Sequence, residues 1–393
     1  MTATIDPFFE KIFGGDWNAC VGIQGSELNY LDGYLEAAEE LVSAVIEKNL
    51  VASRDTLVMP ILFNVRHGIE LSLKFADKHL HECGAIKSSH RLNHDIRSQL
   101  VHLIDADVGD LQIRNLLADL LPFVNSLANV DADGQELRYA ENREGKASLN
   151  DISIVNLPHV RTSIQALRPV LERLKYRVLR LVDERQTESF TSRCSRRDLE
   201  EIADLVGDHG SWCDKSFVDK KRLVSERFGL SKRQFSLAID KVRRSRALAA
   251  LIGIETPLLY LADERVIFIA KEWLGVRGKY PPIDGGGIDF ASFDRSRFLP
   301  YEKALQGLTS FVLSELTLEE FADLEVTFYT GRDRQFGELY EKSLADTVRR
   351  HRLEVERAAF VRHILIKTNF LESVASGCRI LGRSNLAGVL EKM

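Results

Sequence analysis

Apolar residues recur along the first part of the chain at the spacing of an amphipathic helix. Between residues 28 and 46 most of them stand three or four positions apart, so that one face of a helix would be buried. The members of this set are Leu28, Leu31, Leu35, Ala38, Leu41, Val42 and Val45. The same period predicts further helices over about 56–83, 111–130 and 160–182, with a kink in the last at Pro169. We therefore expect a bundle of helices here.

Two shorter features are predicted between these helices. A helix is expected to begin with Asn93 as its N-cap, because an asparagine side chain accepts hydrogen bonds from free backbone N–H groups. Its buried face would hold Ile96, Leu100, Leu103 and Ile104. Further on, the stretch GQELRYAENREGKASL alternates and turns like a short β-hairpin around residues 142–145.

Two breaks in the helical period divide the chain. The first is the polar stretch DERQTESFTSRCSRRD, and the second is RGKYPPIDGGGIDFASFDRSR, which has two adjacent prolines and three consecutive glycines. After the second break, Thr317 and Glu320 have the spacing of a capping box at a helix start. We expect a mostly α protein with a helical bundle over 1–185, a middle domain over 190–275 and a helical domain over 296–393.

Composition narrows the class of protein. A hydrophobic content of 45% with 28% charged residues is ordinary for a folded protein and excludes a disordered chain. The net charge of -5 argues against coating nucleic acid or a membrane with the whole surface, although a local basic patch is compatible with it. Five scattered cysteines, the absence of a signal peptide and the absence of a long apolar run predict a cytoplasmic protein without a membrane partner.

A row of charges stands out in the second predicted helix, within NVRHGIELSLK. Arg66, Glu70 and Lys74 lie one turn apart and border the apolar face formed by Leu62, Val65, Ile69 and Leu73. The row has two interpretations: an ion-pair network that fixes the packing of the helices, or a site that acts on a ligand. In the same way, His94 and Asp95, at the start of the next helix, are either helix caps or groups facing that row.

Three short segments occur in an order that resembles HEPN domains, the helical domains named for higher eukaryotes and prokaryotes nucleotide-binding. They are RHGIELSLK, NHD and LRYAENREG, and the resemblance covers roughly residues 25–185. It implies a helical bundle that forms a homodimer. Many HEPN proteins are metal-independent ribonucleases of toxin and phage-defence systems, with an Arg and a His separated by four to six residues. In such a pair Arg neutralises the phosphate and His moves the proton of the attacking 2′-hydroxyl.

The resemblance points to particular residues as the catalytic group. The segment RSQLVH places Arg97 and His102 at the family spacing, and Arg66 and His94 would assist them. A second match at this spacing, RAAFVRH, runs from residue 357 to residue 363 in the C-terminal helical region.

The middle domain carries a second signal. VDKKRLVSERFGLSKRQFSLAIDKVRRSR is typical of a helix-turn-helix, with Gly229 in the turn and Ser231 and Gln234 as a capping box for the second helix. Phe235 and Ala238 would face inward. Two apolar segments that follow, PLLYL and RVIFIA, would add a hairpin and make a winged helix.

Positive charge is concentrated in this middle segment. Residues 215–246 hold eleven basic and three acidic side chains, a net charge of +8 in a chain whose total is -5. Lys232, Arg233 and Ser236 are predicted to face a groove of nucleic acid. A second set would contact phosphates, namely Arg243, Arg244 and Arg246.

Taken together, these patterns give one leading hypothesis and two alternatives. The leading one is an RNA-directed protein of stress or phage defence that acts as a metal-independent ribonuclease. The alternatives are a non-catalytic protein that binds DNA or RNA, and a scaffold subunit that binds a protein partner. We expect no metal and no cofactor, because the chain has no HExxH, GxSxG or Cys/His ligand motif, and DGGGID lacks the pattern of a phosphate-binding loop.

Overall fold

The computed structural model describes residues 8–9, 14–141, 145, 147–149, 151–280, 295–353 and 357–393. Within these ranges the chain forms sixteen α-helices and no β-strand, which confirms the expectation of a mostly helical protein. The chain divides into two compact units. Unit 1 comprises residues 1–108 and 112–179, and unit 2 comprises residues 109–111 and 180–393.

Unit 1 is a bundle to which five of the described helices contribute, and the fifth of them continues past Leu179 into unit 2. All five lie close to their predicted ranges, and the fifth runs through Pro169 as a single helix. They are α1 (Glu27–Glu47), α2 (Arg54–Glu82), α3 (Ile96–Asp105), α4 (Leu111–Val130) and α5 (Leu157–Arg185).

Helices α1 and α2 pack closely against each other. The apolar set predicted for α1 supplies its buried face, namely Leu31, Leu35, Ala38, Val42 and Val45. Gly68 on α2 makes the close approach possible, since a Cβ atom there would lie 2.8 Å from Cγ of Leu35. A larger residue at position 68 would push the two helices apart.

Helix α3 begins two residues later than predicted. Its N-cap is Asp95, whose carboxylate accepts hydrogen bonds from the backbone N–H groups of Arg97 and Ser98. The predicted cap, Asn93, instead accepts from the N–H of Asp95. Ile96, Leu100 and Leu103 are buried as expected, but Ile104 is exposed because it lies on the outer face of this short helix.

The hairpin predicted around residues 142–145 is described only in part. Glu141 and Ala147 form one isolated antiparallel bridge, and the described residues around them form no strand. Residues 142–144, 146 and 150 lie outside the described part of the chain.

Unit 2 holds the remaining eleven helices of the described chain. They are α6 (Arg196–Val206), α7 (Ser216–Phe228), α8 (Lys232–Arg244), α9 (Arg246–Leu251), α10 (Asp263–Lys279), α11 (Arg295–Glu315), α12 (Leu318–Arg332), α13 (Tyr340–Leu353), α14 (Arg357–Leu365), α15 (Phe370–Ile380) and α16 (Ser384–Leu390).

The buried apolar side chains of unit 2 form two clusters. One lies among α6, α7, α8 and α9, and the other lies among α10 to α16. Helix α10 therefore packs with the C-terminal helices, although the sequence break placed the end of the middle domain near Gly275. Most of the second break, DGGGID included, falls in residues 281–294, outside the described residues, and its two ends belong to the end of α10 and the start of α11.

The predicted wing is wrong, because RVIFIA lies inside helix α10. The run of apolar residues is too short to distinguish a strand from a helix by itself. The wider spacing of the buried residues Val266, Ile269, Ala270 and Trp273 follows the helical period. Asp263 and Glu264 occupy the first turn, where negative charge favours a helix.

Helices α12 and α15 cross at two glycines. A Cβ atom on Gly331 would lie 1.9 Å from the backbone oxygen of Ser373, and one on Gly377 would lie 1.9 Å from that of Thr327. Both positions therefore exclude a side chain. The crossing therefore explains why a glycine, Gly331, stands in the last turn of α12.

Candidate nucleic-acid interface

Helices α7 and α8 are joined by a turn of three residues. Gly229 ends α7 in the left-handed conformation, with φ at 66°, which a residue without a side chain adopts at little cost. Ser231 then caps α8: its hydroxyl accepts from the N–H of Gln234, and the side chain of Gln234 accepts from the N–H of Ser231. These short-range signals fix where α8 begins.

One face of α8 is buried against the rest of its cluster. Its buried side chains are Phe235, Ala238, Ile239 and Val242. They pack in the same cluster as Phe228 of α7 and Leu230 of the turn. With 3.6 residues per turn, burial of this face leaves the opposite face of α8 exposed.

The basic residues of this segment differ in whether they have a partner. Several are held by the protein itself: Arg227 pairs with Glu201, Arg222 lies 3.4 Å from Asp219, and Lys220 donates to the backbone oxygen of Val206. On α8, five basic side chains have no hydrogen-bond or ion-pair partner among the described residues. These five, called the basic face below, are Lys232, Arg233, Lys241, Arg243 and Arg244.

Two other predicted contact residues are engaged within the protein. The hydroxyl of Ser236 donates to the backbone oxygen of Lys232 and remains on the surface. Arg246 donates to the backbone oxygens of Thr256 and Pro257 at 2.7 and 2.8 Å, and its guanidinium lies 4.8 Å from the ring centre of Tyr340. Arg246 thus holds the connection between the two apolar clusters of unit 2 and does not belong to the basic face.

Two members of the charged row of unit 1, Arg66 and Glu70, are buried, and Lys74 is half-buried. Arg66 is 1% exposed, and its guanidinium is hydrogen-bonded within the protein. It donates to the backbone oxygens of Asp131, His94 and Ala132 at 2.8, 2.6 and 3.0 Å, and to Glu70 Oε2 at 3.0 Å. Four of its five N–H groups are used in this way and the side chain is buried, so Arg66 links three segments of the chain and is not presented to solvent.

Glu70 is the common acceptor of this cluster. Its Oε1 accepts from Lys74 Nζ at 2.6 Å and lies 2.8 Å from Nδ1 of His94. Burial raises the pKa of Glu70, but the hydrogen bonds from Lys74, His94 and Arg66 together hold the pKa below its ordinary value. The ion pairs expected of the row are therefore formed, between Arg66 and Glu70 and between Lys74 and Glu70. His94 differs from the others, because its side chain is 65% exposed.

Arg97 and His102 have different partners. Arg97 extends toward α4, where it donates to the side chain of Asn129 and to the backbone oxygen of Asn125. His102 Nε2 lies 3.0 Å from the backbone oxygen of Ser88 and 3.3 Å from Oδ1 of Asp77. No contact joins Arg97 to His102 among the described residues. Five residues on a helix turn the chain by about 140°, which accounts for the separation.

The two residues of the second Arg-to-His match, Arg357 and His363, also lie in different surroundings. Arg357 donates to the backbone oxygens of Leu316 and Thr317, between α11 and α12, at 2.9 and 2.8 Å. His363 lies exposed near the other end of α14. Arg357 is thus held by hydrogen bonds to the backbone between α11 and α12.

Sequence reasoning missed two sets of residues. Asp131 is fully buried, and its carboxylate accepts from the N–H groups of three residues just beyond it, Gln135, Glu136 and Leu137, while its Oδ2 lies 3.6 Å from Arg66. An Asp after a helix and before a glycine was the available signal. The other set, Leu237 and Asp240, lies exposed on α8 among the basic residues.

Comparison of the chain with protein-family models, with curated proteins and with solved structures gives no match. Among the described helices, none has both the length and the apolar content that a bilayer span requires. The geometry of the chain is therefore the basis for a functional assignment.

Proposed function

We propose that this protein binds nucleic acid, with α7 and α8 acting as a helix-turn-helix and the basic face of α8 contacting phosphates. The observation that carries the proposal is the group of basic side chains without a protein partner, of which Lys241 is half-buried and the other four are exposed. A cation that stabilises a fold is usually paired, whereas one that binds phosphate must be free to do so. The side chains of the basic face have no protein partner and are therefore free to bind phosphate.

The placement of Lys232 and Arg233 supports the same conclusion. Both lie in the first turn of α8, which contains no acidic residue. Positive charge at this end opposes the helix dipole and costs about 0.3–1 kcal/mol per residue. Helix stability therefore gives no reason for these two cations, while a phosphate at the end of α8 would interact favourably with them and with the helix N-terminus.

A binding assay with the full chain tests the proposal. Labelled DNA duplex and labelled RNA hairpin, both of arbitrary sequence, are titrated with protein between about 50 and 200 mM salt, where phosphate-driven binding weakens steeply. We expect the wild type to bind at low salt and Lys232→Ala/Arg233→Ala to bind about tenfold or more weakly. The matched control is Lys271→Ala/Lys342→Ala, which removes two exposed lysines from α10 and α13. Equal loss in both variants, or no binding by the wild type, would refute the proposal.

A ribonuclease in unit 1 is the second candidate, and one observation favours it. His94 presents an exposed ring whose Nδ1 is held by the buried carboxylate of Glu70, which leaves Nε2 toward solvent. A carboxylate that binds one ring nitrogen of a histidine fixes its tautomer, which leaves the other nitrogen available for the proton transfer of general-base catalysis. Such an enzyme would fit the RNA-directed defence role that the HEPN resemblance implies.

The ribonuclease has less support than binding, because Arg66 is buried and Arg97 and His102 have separate partners. It predicts that the protein cleaves RNA in the presence of EDTA and that His94→Ala abolishes cleavage. His102→Ala and Arg97→Ala test the family pair in the same assay. Absence of cleavage, or cleavage that all three variants retain, excludes this candidate. If the protein neither binds nor cleaves nucleic acid, a scaffold that binds a protein partner becomes the better assignment.

A further inference from the structure

The outer face of α8 is not uniformly basic. Counting 100° per residue, the line opposite the buried face holds four exposed residues: Arg233, Leu237, Asp240 and Arg244. Leu237 is 48% exposed. Asp240 is also exposed, and it has no cationic partner among the described residues. An apolar and an acidic side chain thus lie between two arginines on one line.

This order does not suit a helix that contacts phosphates only. A carboxylate in the middle of the contact surface is repelled by phosphates, and a leucine gains nothing from them. Both side chains suit the edges of base pairs. In the major groove, cytosine presents an amino group that donates to Asp or Glu, and thymine presents a methyl group that packs against apolar atoms.

The dimensions of α8 agree with this assignment. Arg233 and Arg244 are eleven residues apart, or about 16 Å along the axis at 1.5 Å per residue. The major groove of B-form DNA is about 12 Å wide and lined by phosphates on both sides. Arginines at the two ends of the line can reach phosphates while Leu237 and Asp240, about 4.5 Å apart along the axis, face neighbouring base pairs.

We propose that α8 reads sequence in the major groove of duplex DNA, with Leu237 against a thymine methyl group and Asp240 accepting a hydrogen bond from the amino group of a nearby cytosine. This inference rests on the proposed function, since it requires that α8 binds nucleic acid at all. Duplex RNA is excluded as the specific ligand, because its major groove is too deep and narrow for a helix to enter.

Selection from a random DNA duplex library with the full-length protein tests the inference. We expect the enriched duplexes to share a short motif with a thymine and a cytosine at neighbouring positions, bound about tenfold or more tightly than unselected duplex. Asp240→Asn should lose the preference for cytosine and bind unselected duplex more tightly, since it removes a negative charge. Leu237→Ala should lose the preference for thymine and keep the salt dependence. Lys342→Ala should select the wild-type motif.

The outcomes separate this inference from the proposed function. If the wild type binds duplex DNA and RNA hairpin equally and enriches no motif, sequence reading is wrong and phosphate binding stands. If a motif appears but Asp240→Asn and Leu237→Ala select it unchanged, the assignment of these two residues is wrong. If no nucleic acid binds, both proposals fail. Because the two side chains are exposed, unchanged thermal unfolding of the variants shows that a lost preference is not a folding defect.

Discussion

Arg66 on α2 and Arg233 on α8 are the same residue type in opposite settings. Arg66 is buried, and four of its five N–H groups donate to backbone oxygens or to Glu70. Arg233 is exposed on α8, without a partner among the described residues. The first arginine stabilises a fold and the second is available to a ligand. The comparison teaches that the partners of a cation, and not its place in a charged motif, indicate its role.

The largest effect on stability is predicted for the buried cluster around Arg66. Glu70→Gln leaves the guanidinium of Arg66 buried with one weaker acceptor, and breaking a buried ion pair in this way costs about 3–5 kcal/mol. We expect that loss in the free energy of unfolding, measured by urea denaturation. Glu40→Gln, at an exposed position of α1, is the control and should change it by less than about 0.5 kcal/mol. Equal effects would mean that the cluster does not stabilise unit 1.

A smaller effect is expected for Arg246, which lies beside the basic face in sequence but is bound within the protein. Arg246→Ala removes charged hydrogen bonds to Thr256 and Pro257, worth about 1.5–3 kcal/mol. We expect a lower free energy of unfolding and unchanged affinity for nucleic acid. The reverse result, lost affinity with full stability, would return Arg246 to the basic face.

Acid is expected to reduce the stability that Glu70 contributes to the wild type. The variant Glu70→Gln has no such contribution to lose. A carboxylate whose pKa is lowered by folding contributes stability above its unfolded pKa, and this contribution is lost as pH falls through the folded pKa. The ordinary pKa of Glu70 is 4.5, and folding lowers it. The difference in unfolding free energy between the wild type and Glu70→Gln should be constant from about pH 6 to 8 and shrink below about pH 4. A difference that widens in acid contradicts the sign of this shift.

The smallest effect is predicted for His94. Its ring is mostly exposed, so its contact with Glu70 contributes less than about 1 kcal/mol. His94→Ala should therefore leave the urea midpoint nearly unchanged. A loss as large as that of Glu70→Gln would make His94 part of the buried network and remove the observation that favours a ribonuclease.

Local signals were enough to predict much of the fold. The capping boxes at Ser231 and Thr317 each involve residues three positions apart, and both are formed. The amphipathic period likewise located α1, α2, α4 and α5. RVIFIA was misassigned because six apolar residues fit a strand and a helix equally well, and only packing against later helices decides between them.

The candidate sites depended on contacts that the sequence does not display. Arg66 and Asp131 are 65 positions apart, so no motif indicated that the arginine would be buried and hydrogen-bonded to this distant segment. The spacing of Arg97 and His102 matched a family pattern, but a helix directs them to different neighbours. The basic face of α8 was partly predictable, because its charge excess and its caps are local, whereas the engagement of Arg246 with distant backbone oxygens is not.

The most direct test of the central claim is the number of counterions released when the protein binds duplex DNA. The slope of log affinity against log salt is about −0.9 for each phosphate contacted. The variant Lys232→Ala/Arg233→Ala/Arg243→Ala/Arg244→Ala should have a slope smaller in magnitude by about 3 to 4 than that of the wild type, with unchanged stability. Equal slopes for the two proteins would show that the basic face of α8 does not contact phosphates and would contradict the account.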